Sequence, residues 1–257
     1  MSRRIRETDR RVALVTGGAR RVGRAVALSL ARSGWDVAIT CRSSGEQARA
    51  VVGEIEQLGR RSVSIEVDLA KSDAAEVVYE RFGARFDRLD ALVNNAAIFS
   101  PTPLGALTAA DYDRYSAVNA RAPLMLIQRF ASMLGAGYEP DKSGLAGRVV
   151  NLIDIAVLGQ PMSKHAAYSA SKAALLELTR SCALELAPAV LVNAVAPGVV
   201  AWAESFSAAE REGYLRRVPL GRAGVPDDAA EAVRWLVCDA HYCTGQVIRV
   251  DGGRLLG

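Results

Sequence analysis

The chain has 257 residues, half of them hydrophobic, and 32 Lys and Arg against 28 Asp and Glu, for a formal net charge of +4. That size holds one large α/β domain or two small ones around a sizeable core, and no stretch reads as a linker between two cores. The basic residues are spread out without interleaved aromatics, which argues against a nucleic-acid surface and leaves a mild positive field suited to a small polyanion.

Residues 1–10 read as a basic, disordered arm, with Arg3, Arg4, Arg6 and Arg10, ahead of a single domain over 11–257. The arm has no apolar h-region, and no apolar run elsewhere approaches the ~18 residues of a membrane span, so a soluble, cytoplasmic protein is expected. Cys41, Cys182, Cys238 and Cys243 lie in no C-x-x-C spacing and suit reduced thiols, with no metal site implied.

Val12 to Thr16 is an apolar run of the buried-strand kind, followed by Gly17, Gly18 and Gly23 and a helical pattern from Val22 to Arg32. Strand, glycine-rich turn and helix form a phosphate-binding arrangement, because the backbone allows close approach and the helix N-terminus offers unpaired N–H groups. Arg20 and Arg21 are either surface charges or phosphate contacts, and their place in that loop favours a contact for at least one. A second strand, Trp35 to Thr40, ends at Cys41-Arg42-Ser43-Ser44. An acid there would bind a ribose 2′-hydroxyl, whereas a guanidinium and hydroxyls suit a 2′-phosphate, so NADPH is the expected cofactor.

A helix over 46–58, a strand from Ser62 to Val67 ending at Asp68-Leu69, a helix near 72–82 and a strand from Leu89 to Val93 continue the βα alternation of a parallel sheet. Asn94-Asn95-Ala96 and the loop to Pro103 follow at the carboxyl edge, where such sheets bind ligands. Phe99 in this loop is either packed core or a stacking surface. Thr108-Ala-Ala-Asp111 is a capping-box signal for one long helix to about Leu134. Asn119 within it is a poor helix former among apolar residues, which predicts a specific hydrogen bond.

A loop over 135–147 and a fifth strand, Arg148 to Ile153, lead to Asp154; Asn151 to Asp154 reads as polar loop. An alanine-rich helix to about Pro188 carries Tyr168 and Lys172, four residues apart and so on one helix face. A nearby ammonium would favour the phenolate and lower the phenol from its usual pKa near ~10, making Tyr168 a proton donor or acceptor near neutrality. A sixth strand, Val190 to Val195, runs into Pro197-Gly198 and an irregular excursion containing a short helix over 208–217. Residues 198–225 read as a substrate lid. A helix over 227–238 and a strand from Gln246 to Val250, closed by Asp251-Gly252-Gly253, complete a doubly wound, Rossmann-type parallel sheet of about seven strands with helices on both faces.

With these residues in place, the chain resembles the short-chain dehydrogenase/reductase family along nearly its whole length. The likeness rests on Thr16-Gly17, Asn94-Asn95-Ala96, Asn119, Tyr168-x-x-x-Lys172 and Pro197-Gly198, in that order. It implies Tyr168 as the acid, Lys172 as the group that lowers its pKa and holds the nicotinamide ribose, Asn119 as the anchor of a water relay, and a homotetramer. It also implies cofactor contacts from Thr16, Gly17, Arg20, Arg21, Val22, Gly23, Arg42, Ser43, Asp68, Leu69, Asn95, Ala96, Pro197 and Gly198.

Two departures narrow it. Arg21 replaces the middle glycine of the loop, and Asp154 replaces the usual serine. Both, with Phe99 and Trp202, look like the pteridine reductase branch. There the arginine contacts phosphate and pterin, the Phe stacks on the pterin, and the Asp shares proton donation with the Tyr. Arg21, Phe99, Asp154, Tyr168 and Trp202 are then the expected substrate contacts, although Ala97 stands where that branch has a pterin-binding serine. An NADPH-dependent reductase of 3-oxoacyl thioesters or other ketones is the alternative, and a non-catalytic NADP(H) sensor the second.

Overall fold

The computed structural model describes residues 10–136, 147–202 and 206–256. Seven strands form, β1 (Val12–Val15), β2 (Asp36–Cys41), β3 (Ser62–Glu66), β4 (Ala91–Asn94), β5 (Gly147–Leu152), β6 (Val190–Pro197) and β7 (Val247–Val250). All pair parallel in one sheet of order β3-β2-β1-β4-β5-β6-β7. Eight α-helices accompany them among the described residues: α1 (Arg21–Arg32), α2 (Gly45–Gln57), α3 (Ala74–Gly83), α4 (Ala109–Ser116), α5 (Ala122–Gly135), α6 (Ala166–Leu186), α7 (Ala208–Leu215) and α8 (Pro226–Cys238).

Strand β1 is wholly apolar because both of its faces are covered. Ala13 and Val15 join a core with Leu30 of α1, Val51 of α2 and Val233 of α8. Val12 and Leu14, pointing the other way, join Phe82 of α3, Phe130 of α5 and Ala183 of α6. The chain leaves β1 toward β3, returns to place β4 on the other side of β1, and then runs toward β7. This reversal opens a crevice at the carboxyl ends of β1 and β4, where open parallel sheets bind their ligands.

Three expectations are corrected. Asn151 and Leu152 belong to β5 rather than to a loop. Asn94 Nδ2 donates to Asn151 Oδ1 at 2.9 Å, and Asn151 Nδ2 donates to Thr179 Oγ1 at 3.0 Å, so these buried amides hold α6 against the sheet. The expected single helix over 108–134 is α4 and α5 joined by a wider, π-type turn, Ala117–Arg121, centred on Asn119. Arg10 does not belong to a disordered arm: its guanidinium lies 3.9 Å from the fully buried Asp36 carboxylate and donates to Gly59 O at 3.3 Å. Arg61 Nε completes the pairing of Asp36 at 2.7 Å, which a buried carboxylate requires. The rest of the expected arm, and most of the loop after α5, lie outside the described residues.

Candidate active site

A cleft of about 1270 Å³ runs along the carboxyl edge of the sheet, from the end of β2 to the segment after β7. Its first wall is the turn between β1 and α1. Thr16 Oγ1 accepts the N–H groups of Asn95 at 2.9 Å and Ala96 at 3.0 Å, and Asn95 Nδ2 donates to Thr16 O at 2.8 Å, so the β1 and β4 loops are tied together. A Cβ on Gly23 would lie 2.2 Å from Gly17 O, which makes glycine obligatory where the helix crosses the turn. Arg21 adopts the left-handed conformation that glycine takes most readily, at φ 50°, a strain of about 1–2 kcal/mol. No side chain caps α1, and its first turn has no acid, so its N-terminal N–H groups face the cleft with the macrodipole behind them.

These residues fit a dinucleotide. Arg20, Arg21 and Arg42 all line the cleft, with Ser43 and Ser44 beside Arg42, and none of the three arginines forms an ion pair among the described residues. Val22, Asp68, Leu69, Asn95, Ala96 and Gly198 line it as well, whereas Thr16 and Pro197 do not. Thr16 is spent on bracing the two loops, and Pro197 closes β6 against Val250.

Tyr168 and Asp154 meet in the middle of the cleft. The phenol donates to Asp154 Oδ2 at 2.7 Å, and Asp154 Oδ1 accepts the Ala156 N–H at 2.8 Å, capping the short 3₁₀ turn Ile155–Leu158. Burial raises the Asp154 pKa above the ordinary carboxyl range, more than the Ala156 and Tyr168 hydrogen bonds and the Lys172 charge lower it. Burial, with the Asp154 charge second, raises Tyr168 well above the usual phenol. The expected lowering of the phenol by Lys172 is therefore not found. Lys172 is buried beneath the cleft rather than lining it, donates to Leu152 O at 2.6 Å, and is itself lowered to about 8 by burial. The phenol and the carboxyl therefore hold their protons to higher pH than they would in water, and they stand in direct hydrogen-bond contact.

Phe99 lines the cleft with Tyr168 edge-on to it, at 4.8 Å between ring centroids. His165 stacks on Phe99 at 4.7 Å and 15°, so one face of the Phe99 ring is already covered. Asn119 makes three bonds and does not line the cleft: its Oδ1 accepts Ile98 N–H at 2.9 Å, and its Nδ2 donates to Ile98 O at 3.2 Å and Ser171 Oγ at 3.0 Å. The amide thereby fixes the loop of Phe99 against the helix of Tyr168. Trp202, an expected substrate contact, packs instead against Phe206 at 5.4 Å and Tyr214 at 5.6 Å, and those two rings line the cleft in its place. Of the expected lid, residues 203–205 lie outside the described residues.

A family model described as enoyl-(acyl carrier protein) reductase matches residues 17–254. The chain belongs to the short-chain dehydrogenase/reductase family. It is 34% identical over 251 residues to the 3-oxoacyl-[acyl-carrier-protein] reductase of Synechocystis sp., covering 95% of this chain and 97% of the relative. It is 35% identical over 246 residues to the 3-oxoacyl-[acyl-carrier-protein] reductase FabG of Staphylococcus aureus, covering 94% and 96%. Among solved structures, the acetoin dehydrogenase of Enterobacter cloacae superposes with a TM-score of 0.84 at 35% identity, covering 96% of each chain. A dehydrogenase/reductase from Sinorhizobium meliloti superposes at 0.85 with 36% identity, covering 95% of this chain and 94% of the other. The two sequence relatives are named as 3-oxoacyl reductases, and none of these names a pteridine reductase.

Sequence reasoning missed the far end of this short-chain enzyme's cleft. Gln160, Met162, Tyr214, Arg217 and Arg254 line it, and no motif or spacing marks them. Among the described residues, no helix is long and apolar enough to cross a membrane.

Proposed function

We propose that the chain is an NADPH-dependent reductase of a pterin-type ring, in which the Asp154–Tyr168 pair delivers the proton. The observation that carries this is the 2.7 Å bond between Tyr168 and Asp154 Oδ2. A serine at position 154 could only polarise a carbonyl, whereas a carboxyl whose pKa burial raises can carry a proton for a ring nitrogen. NADPH, when bound, supplies the hydride. Arg20, Arg21 and the α1 N-terminus would hold its pyrophosphate, and Arg42 with Ser43 its 2′-phosphate. Tyr168 presents the proton at its phenolic oxygen, Asp154 replaces it from Oδ2, and the uncovered side of Phe99 offers a flat substrate an aromatic wall.

The second reading is an NADPH-dependent reductase of 3-oxoacyl thioesters or related ketones, and the names of the relatives favour it over the first. In that reaction Tyr168 protonates the carbonyl oxygen and Asp154 orients the phenol. A homotetramer is part of either proposal, with the 84% exposed Leu184 on α6 as an apolar contact awaiting a partner. NADPH consumption with a dihydropterin, dihydrofolate and a 3-oxoacyl thioester separates the two. Turnover of a reduced pterin at ten or more times the thioester efficiency supports the first, and the opposite ratio replaces it with the second.

A further inference from the structure

The backbone of the Phe99 loop is pinned on both sides of the ring. Asn119 holds Ile98 on one side; on the other, Tyr115 OH accepts the Ser100 N–H at 3.0 Å and donates to Ser100 O at 2.7 Å. Thr102 N–H then donates to Lys164 O at 2.6 Å, which joins the loop to the segment that opens α6. These bonds fix the main chain. They leave the plane of the Phe99 ring to the side chains that touch it, Tyr168 edge-on and His165 face-on.

Local preferences are given up to place His165 there. It stands at the N-cap of α6, where Ser, Thr, Asp or Asn would bond the first-turn N–H groups, yet its side chain caps nothing. Lys164, just before it, takes a left-handed backbone at φ 63°, which a residue with a side chain adopts only against strain. His165 Nδ1 lies 2.7 Å from Ser163 O, an atom that only accepts, so Nδ1 carries the proton and Nε2 of the neutral ring is a bare lone pair. That Nε2 is buried and has no hydrogen-bond partner among the described residues, which is also unfavourable. What the arrangement secures is the stack: the imidazole lies on Phe99 at 4.7 Å and 15°, and its bond to Ser163 O holds it there. His165 does not itself line the cleft, so its influence on a substrate passes through the Phe99 ring. Strain and an unmet polar group at neighbouring residues are found where function, rather than local stability, sets the sequence.

We propose that His165 is a positioning residue for the reduction: as the rigid backing of Phe99 it holds that ring in the plane on which the substrate lies, and this requires a flat aromatic side chain at position 165. The proposal rests on the reductase reading of the cleft but not on which ring or carbonyl is reduced.

Two apolar replacements separate a backing ring from mere filling. Both lose the bond to Ser163 O and both remove the buried lone pair, but His165→Phe keeps a flat face against Phe99 and His165→Leu does not. Steady-state kinetics are measured for the wild type and both variants, with NADPH and either a dihydropterin or a 3-oxoacyl thioester. The wild-type ratio between the two substrates reads the proposed function; the response of the better substrate to residue 165 reads this inference. For that substrate His165→Leu should raise KM about three- to tenfold, with kcat and NADPH affinity within about twofold of the wild type, and His165→Phe should bring KM back to within about twofold. The flip rate of the Phe99 ring, followed by NMR in protein carrying labelled phenylalanine, needs no substrate and should rise in His165→Leu but not in His165→Phe. Equal KM in all three proteins, a KM defect that His165→Phe does not correct, or a Phe99 ring no more mobile in His165→Leu than in the wild type overturns the proposal.

Discussion

Tyr168 OH donates a hydrogen bond to Asp154 Oδ2 at 2.7 Å, while Lys172, one helical turn beyond on the same face, donates to Leu152 O at 2.6 Å. The hydrogen-bond partner of the phenol therefore stands at the end of a strand, not on its own helix. Burial makes both partners hold protons to higher pH than in water. Turnover should accordingly fall as pH rises through the apparent pKa of the coupled pair. Asp154→Asn should lose roughly 10²–10⁴-fold in rate with a pterin at every pH. A pH–rate profile of both proteins checks this; a rate indifferent to residue 154 removes the carboxyl from the mechanism.

The same buried carboxyl should weaken the fold at neutral pH. A carboxyl whose folded-state pKa is raised binds more protons folded than unfolded, so stability falls as pH climbs from the unfolded carboxyl value through the raised folded one. Asn cannot ionise. The Tm of Asp154→Asn relative to wild type should therefore rise between about pH 4 and pH 8, and thermal melts of the cofactor-free proteins at both ends measure it. A constant difference would mean that Asp154 does not titrate in this window.

Arg42 lines the cleft with Ser43, and among the described residues no acid is in ion-pair contact with it. Arg42→Ala should weaken NADPH binding by roughly 10- to 100-fold, the value of one charge-assisted phosphate contact, and leave NADH nearly unchanged. Titration calorimetry with both cofactors gives the answer, and equal loss for the two would refute the assignment of the 2′-phosphate.

Phe99 shares one face with His165 and an edge with Tyr168. Phe99→Ala should raise the KM for a flat substrate at least several-fold while NADPH affinity holds, since a stacked ring contributes about 0.5–1.5 kcal/mol beyond its buried area. Early melting with unaltered kinetics would instead make Phe99 a packing residue.

Asn119→Leu should destabilise the protein by about 1–3 kcal/mol, because it strands the Ile98 N–H and deprives Ser171 of a partner. Activity should drop further than stability alone explains, since the Phe99 loop loses its tie to α6. Denaturant melts alongside kcat separate these two effects.

The order of strands and helices, the glycine turn and the face shared by Tyr168 and Lys172 were legible in the sequence, because each depends on neighbours within a few residues. Apolar runs bounded by turn residues specify buried strands, and Gly23 is dictated by the backbone of its own turn. The π-type turn at Asn119 was not legible: its causes are Ile98, 21 residues away, and Ser171, 52 away, and no local propensity carries them. Nor could the sequence show that Arg10 pairs with Asp36, that Lys172 turns to Leu152, or that Trp202 yields its place to Phe206 and Tyr214. Arg254 is the plainest case. Its neighbours along the chain mark only a turn after the last strand, and it becomes a cleft residue because the parallel sheet brings the end of β7 level with the ends of β1 and β5. A side chain's partners are set by which strand ends the sheet aligns, and that alignment is a property of the packed whole.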